Sequence, residues 1–117
     1  MPNNVDAARH VLESPALLQS RVVGYFAVSA EGELTVRWDD IYSDLKGTLS
    51  SHEETLVNFA AALMAGTGGT GNAFLSNGQY GPYASSLAHL DDEHAARVLE
   101  ALAISRGFRI SVWKAGQ

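Results

Sequence analysis

The chain has 117 residues, of which 46% are hydrophobic and 18% are charged. This length and composition predict a single folded domain over residues 1–117 and exclude a disordered chain. The absence of cysteine excludes disulfides, thiolate metal sites and a cysteine nucleophile, and the net charge of −5 disfavours bulk nucleic-acid binding because phosphate contacts need a basic surface.

The N-terminal segment predicts a helix interrupted by proline. Apolar residues recur near helical spacing over residues 5–19. Pro15 does not fit a helix interior, so Ser14 is expected to end one helix and to cap a second, short one. The first residues lack the basic and apolar regions of a signal peptide, which leads us to expect a cytoplasmic protein.

Two strands are predicted next, over residues 22–30 and 33–38. The first stretch is rich in strand-forming residues, and apolar and polar side chains alternate in the second. Gly32 lies between them and suits the tight turn of a hairpin. After the hairpin, Asp39 or Asp40 is expected to open a short helical turn that ends near residue 47.

Charge is distributed unevenly along the chain. Residues 31–54 hold seven acids and two bases, whereas residues 97–117 hold four bases and one acid. A chain polarised in this way can pair with itself or with a partner of complementary potential. Ordinary solvated surface charge is the alternative interpretation.

The strongest helix prediction covers residues 51–65. Ser50 and Glu53 match a capping box, and Gly66 suits the residue that ends the helix. Because the segment is apolar along most of its length, we expect it to lie centrally in the core.

A glycine-rich loop is predicted over residues 66–84, which hold six of the eleven glycines. Residues 66–71 match G-x-G-x-x-G in letters, but the run follows a helix, where a dinucleotide fingerprint follows a strand. We therefore interpret the segment as a mobile or partner-ordered loop, and ligand or nucleotide binding at residues 66–83 as a weaker alternative. Its aromatic residues are candidate interaction residues or, equally, core anchors: Phe74, Tyr80 and Tyr83.

A second main helix is predicted over residues 91–106, with Asp91 as its cap and Gly107 just past its end. Residues 108–113 alternate again and predict a strand, which needs a partner that the hairpin can supply. The predicted fold is therefore α+β: a three-stranded, mainly antiparallel sheet (22–30, 33–38, 108–113), two main helices (51–65, 91–106) and an N-terminal helix.

Chemical motifs fail their context tests. On one continuous helix His89 and Glu93 would share a face, but Asp91 is the better helix start, which leaves His89 outside and makes His94 part of a local capping arrangement. No G-x-S-x-G elbow is present in the sequence. We therefore predict no catalytic residue, no metal and no cofactor.

A DNA-binding regulator of winged-helix type is the alternative function. Arg97, Arg106 and Arg109 would supply its phosphate contacts. Against it, the long loop between the two main helices replaces the short turn of a helix-turn-helix, and acids are mixed with the bases on the second helix. The leading prediction is a non-enzymatic protein-protein interaction or regulatory module that self-associates as a homo-oligomer, a homodimer in its simplest form, without membrane attachment.

Overall fold

The structure is a computed structural model that describes residues 3–65, 75, 87–88 and 90–112. Within these residues the chain forms a small α+β fold with one two-stranded antiparallel sheet. The elements in chain order are α1 Asn4–Leu12, α2 Pro15–Leu18, a 3₁₀ helix Arg21–Tyr25, β1 Phe26–Val28, β2 Leu34–Val36, α3 Trp38–Leu45, α4 Ser51–Ala65 and α5 Asp92–Ser105.

The proline break in the N-terminal region is confirmed. Ser14 adopts an extended conformation between α1 and α2, and Pro15 occupies the first position of α2. The Ser14 carbonyl accepts the N–H groups of Leu17 and Leu18 at 3.0 Å, although its hydroxyl makes no cap hydrogen bond. Proline costs no hydrogen bond at this position, because the first N–H groups of a helix have no intrahelical acceptor.

The core is mainly helical, and α1 lies between α4 and α5. Helix α1 contacts both of the longer helices extensively, whereas α4 and α5 contact each other little. Ala7 and Ala8 are fully buried on α1, and their small side chains let a neighbouring helix approach closely. Every residue from 55 to 60 of α4 is buried, as expected for a helix that is apolar along most of its length.

The hairpin is confirmed but is shorter than predicted. Phe26 pairs with Val36 and Val28 with Leu34, and Gly32 turns the chain with a φ of 84°. Residues 21–25 form a 3₁₀ helix instead of strand, because the Ser20 hydroxyl caps this segment by accepting the N–H of Val22 at 3.1 Å. The predicted strands 22–30 and 33–38 are therefore reduced to three residues each.

The prediction of a third strand over 108–113 is not confirmed, and residues 108–112 form no strand. Gly107 ends α5 in the left-handed region with a φ of 84°, as expected. Its N–H and that of Phe108 donate to the carbonyls of Ile104 and Ala103, both at 2.9 Å. This Schellman closure sends the chain back along α5, where the Val112 N–H meets Glu100, so the segment does not reach the hairpin.

The predicted helix caps of α4 and α5 are confirmed. The Ser50 N–H donates to Glu53 Oε1 at 2.9 Å, and the Glu53 N–H donates to the Ser50 hydroxyl at 3.2 Å. The Asp91 carboxylate accepts the N–H of His94 at 2.9 Å and starts α5. Within the described part of the chain, no helix combines the length and apolar character needed to cross a membrane.

Candidate functional site

A groove of about 480 Å³ lies between α1, the C-terminal half of α5 and the segment after Gly107. We call it the C-terminal groove. Its polar lining comes from Asn3, Asp6, His10, Glu100, Arg109 and Ser111. Its apolar lining comes from Ile104, Phe108 and Ile110. The groove exists because the Schellman turn lays residues 108–111 beside the two helices.

Glu100 links the three elements that form the groove. Its Oε1 lies 2.9 Å from Nε2 of His10 on α1, and its Oε2 accepts the N–H of Val112 at 3.3 Å. Arg97, one turn earlier on α5, donates from Nε to the His10 carbonyl at 2.8 Å. This carbonyl lies in the last turn of α1, where carbonyls lack intrahelical partners. Arg97 therefore caps the C-terminal end of α1.

A histidine paired with a carboxylate is also a possible acid–base pair. In nucleophilic catalysis the imidazole must additionally contact a nucleophile. Ser111 lines the same groove, but no hydrogen bond joins its hydroxyl to His10 among the described residues. Nor do the residues that the structure describes include three His, Asp or Glu side chains grouped to hold a metal ion. The geometry therefore favours a structural role for the pair.

Two large apolar side chains project from the wall of the C-terminal groove. Phe108 is 62% exposed and Ile110 is 50% exposed, the two highest values among the large hydrophobic residues described. The sequence predicted that both belong to a strand over 108–113 that pairs with the hairpin. They are exposed because the turn at Gly107 separates them from the hairpin.

The three predicted interaction arginines lie in different environments. Arg97 is partly buried and bonded to α1, as described above. Arg106 is exposed at the C-cap of α5, and Arg109 is exposed beside the C-terminal groove. Only Arg106 and Arg109 thus present exposed side chains near one another in the chain. Because α1 lies between α4 and α5, the packing does not favour the helix-turn-helix arrangement of the DNA-binding alternative.

Comparison with known proteins adds no assignment. No protein-family model, no curated protein and no solved structure matches the chain. The functional interpretation therefore depends on the residues of this chain, and first on the groove and its two exposed apolar side chains.

A second polar cluster lies where α5 begins. Nδ1 of His94 lies 2.7 Å from Oδ1 of Asp91, and Nε2 of His94 accepts the N–H of Ala16 at 3.3 Å. The ring proton is therefore on Nδ1, and a buried histidine satisfies a free N–H in the first turn of α2. Hydrogen bonds from the His94 backbone and then from its ring lower the pKa of Asp91. The sequence indicated the cap but not the link to α2.

The candidate residues Phe74, Tyr80 and Tyr83 lie outside the described residues, so their role stays a prediction. Leu75 is described: it is buried, and its N–H donates to Oδ1 of Asn58 at 2.7 Å. Asn58 is itself buried in the middle of α4. Leu75 is thereby attached to the core. The sequence did not predict this contact, because Asn58 is recognisable there only as a polar residue within an apolar helix.

The acid-rich segment forms its own contacts. Asp44 accepts the hydroxyl of Tyr25 at 2.9 Å, and Asp40 pairs with Arg37 at 3.1 Å. The bond to Asp44 raises the pKa of Tyr25. Arg37 also donates to the Gly24 carbonyl and stacks 4.8 Å above the Tyr25 ring. Some acids of the acid-rich segment therefore form contacts within the fold, and these contacts hold the 3₁₀ helix against α3.

Proposed function

We propose that this protein is a non-enzymatic interaction module that self-associates through the C-terminal groove. The observation that carries the proposal is the exposure of Phe108 and Ile110, two positions apart in the segment after α5. Burying a large apolar side chain contributes about 1.5–3 kcal/mol, so a partner that covers both gains substantial affinity.

The surroundings of these two residues support an interface. The C-terminal groove is lined by the apolar residues Ile104, Phe108 and Ile110 together with polar and charged residues. Protein interfaces combine an apolar centre with a polar, hydrated rim, and the groove supplies residues of both kinds. The groove also holds both signs of charge, from Asp6 and Arg109, which suits contact with a second copy of the same surface.

Size-exclusion chromatography with light scattering tests self-association over a range of protein concentrations. We expect a mass twice that of the chain, and we expect Phe108→Ser and Ile110→Ser to raise the dimer dissociation constant at least about tenfold each. Val23→Ser and Leu18→Ser are matched controls, because these side chains are exposed by 43% and 47% but lie on other elements. Circular dichroism confirms that each variant is folded.

Two results would contradict the proposal. One is a single-chain mass at the highest concentration reached by the wild-type protein. The other is a dimer that Phe108→Ser and Ile110→Ser leave intact, because the C-terminal groove would then not be the interface.

A further inference from the structure

Two backbone N–H groups of residues 108–112 donate to α5. The Phe108 N–H donates to the Ala103 carbonyl at 2.9 Å, and the Val112 N–H donates to Glu100 Oε2 at 3.3 Å. Among the residues that the structure describes, none accepts the N–H of Arg109, Ile110 or Ser111. All three of these residues are exposed.

Along a β-strand, successive N–H groups point to opposite edges. In strand geometry, the N–H groups of Phe108 and Val112 point toward α5. Those of Arg109 and Ser111 then point away from α5. Its outer edge is then a row of free donors and acceptors, which another strand can pair with.

We propose that residues 108–112 of two copies pair as antiparallel strands about a two-fold axis at Ile110. This inference rests on the proposed self-association and specifies its geometry. Arg109 of each copy forms a hydrogen-bonded pair with Ser111 of the other, and the two Ile110 residues form the non-hydrogen-bonded pair between them. Phe108 of each copy lies opposite Val112 of the other.

The residues of the segment are complementary to themselves in this register. Arg109 is its only charged residue, and it faces serine, so no like charges lie opposite each other. Phe108, Ile110 and Val112 share one face and form apolar cross-strand pairs. A closed two-fold interface requires such self-complementarity, because both copies present the same surface. An axis at Arg109 would instead oppose two guanidinium groups.

Cysteine cross-linking tests the register in the full chain, because the protein has no cysteine of its own. Cα atoms of a non-hydrogen-bonded pair lie about 4.5 Å apart, within the range that a disulfide spans. We expect Ile110→Cys to form a disulfide-linked dimer at least about tenfold faster than Val23→Cys, an exposed position on the 3₁₀ helix. Ser111→Cys stays slow, since strand geometry separates its two copies by about 8 Å.

A mixture of two variants provides a second measurement, which does not alter Ile110. Arg109→Cys mixed with Ser111→Cys is expected to cross-link between unlike chains, faster than either variant alone. The register would be overturned if Ser111→Cys cross-linked with itself as fast as, or faster than, it cross-links with Arg109→Cys. Rates no higher than that of Val23→Cys in both experiments would overturn the strand pairing.

Light scattering under reducing conditions distinguishes a failure of the strand pairing from a failure of the proposed self-association. A dimer that Phe108→Ser dissociates, together with slow cross-linking at position 110, leaves the self-association standing and removes the pairing. A single-chain mass for the wild-type protein at every concentration removes both.

Discussion

Nε2 of His10 lies 2.9 Å from Oε1 of Glu100, ninety positions later in the chain. This pair joins α1 to α5 at the C-terminal groove, and the other oxygen of the same carboxylate holds the N–H of Val112. Glu100 therefore positions the segment that carries Phe108 and Ile110, the side chains through which we propose that the protein self-associates.

The His10–Glu100 pair is expected to contribute measurably to stability. Both side chains are about three-quarters buried. We expect His10→Ala and Glu100→Ala each to lower the free energy of unfolding by about 1–2 kcal/mol, and a double-mutant cycle to give a coupling of about 0.5–1 kcal/mol. Urea denaturation measures all four proteins.

The comparison for this cycle is the more exposed pair Arg9–Glu13 of α1, at 3.1 Å and i, i+4 spacing, whose side chains are each 37% exposed. Exposed helix pairs contribute about 0.3–0.5 kcal/mol, so its coupling is expected to be the smaller one. A His10–Glu100 coupling of zero would contradict the role that we assign to Glu100 in linking the helices.

Asp91 is expected to stabilise the start of α5. Asp91→Ala removes both the helix cap and the partner of the His94 ring, so we expect a loss of about 1–2 kcal/mol in the free energy of unfolding. Asp91→Asn keeps a capping oxygen and is expected to lose less than half as much. Thermal or urea denaturation distinguishes them, and equal losses for the two variants would show that the carboxylate charge matters more than the cap.

The same residue predicts a dependence of stability on pH. The backbone N–H and then the ring of His94 lower the pKa of Asp91 in the folded protein. A lowered folded pKa stabilises the fold above the unfolded pKa, and this stabilisation is lost as pH falls through the folded value. The carboxylate is half-exposed, so the effect is small. Wild-type protein should lose stability relative to Asp91→Asn in this acidic window; parallel curves would contradict the prediction.

Apolar substitutions of two buried polar residues of α4 are expected to have different effects on the free energy of unfolding. Asn58→Leu leaves the buried N–H of Leu75 without its acceptor and should lower the free energy of unfolding by about 1–3 kcal/mol. The hydroxyl of Thr55 is buried without a hydrogen-bond partner in the described part of the chain. Thr55→Val should therefore be neutral or stabilising by up to about 1 kcal/mol. Urea denaturation measures both, and a large loss for Thr55→Val would reveal a partner for its hydroxyl.

Two glycines of the hairpin region provide a matched pair. A Cβ added at Gly24 or at Gly32 would meet no atom within 4 Å, but only Gly32 has a positive φ, of 84°. We expect Gly32→Ala to lower the free energy of unfolding by about 1 kcal/mol and Gly24→Ala to raise it by about 0.5 kcal/mol. Thermal denaturation should rank Gly24→Ala above the wild type and Gly32→Ala below it. The reverse order would show that the turn does not require the left-handed conformation.

Local signals predicted most of the helices and the turn. The capping box at Ser50 placed the start of α4 correctly, and Asp91 and Gly107 bounded α5 within one residue. These signals succeed because a cap or a glycine acts through hydrogen bonds and backbone angles within one helical turn. The alternation of residues 108–113 predicted a third strand of the sheet, which is not confirmed over residues 108–112. Alternation indicates a face that strand pairing could bury, but it does not provide the partner strand.

The candidate site was predicted only in part. Arg109 was named from the sequence and does line the C-terminal groove, but it was chosen for its charge. His10 and Glu100 were missed, since each has an ordinary sequence context on an amphipathic helix. Phe108 and Ile110 were read as sheet residues, and only the direction of the chain after Gly107 exposes them.

The sequence by itself determined where the two main helices begin and end, where proline divides the N-terminal helix and where the hairpin turns, because these features depend on interactions over three or four residues. Only the tertiary structure decided that α1 lies between α4 and α5. It also decided the long-range hydrogen bonds, of His10 with Glu100 and of Leu75 with Asn58. Periodicity specifies which face of a helix is apolar but not which helix covers it, and these contacts depend on that choice.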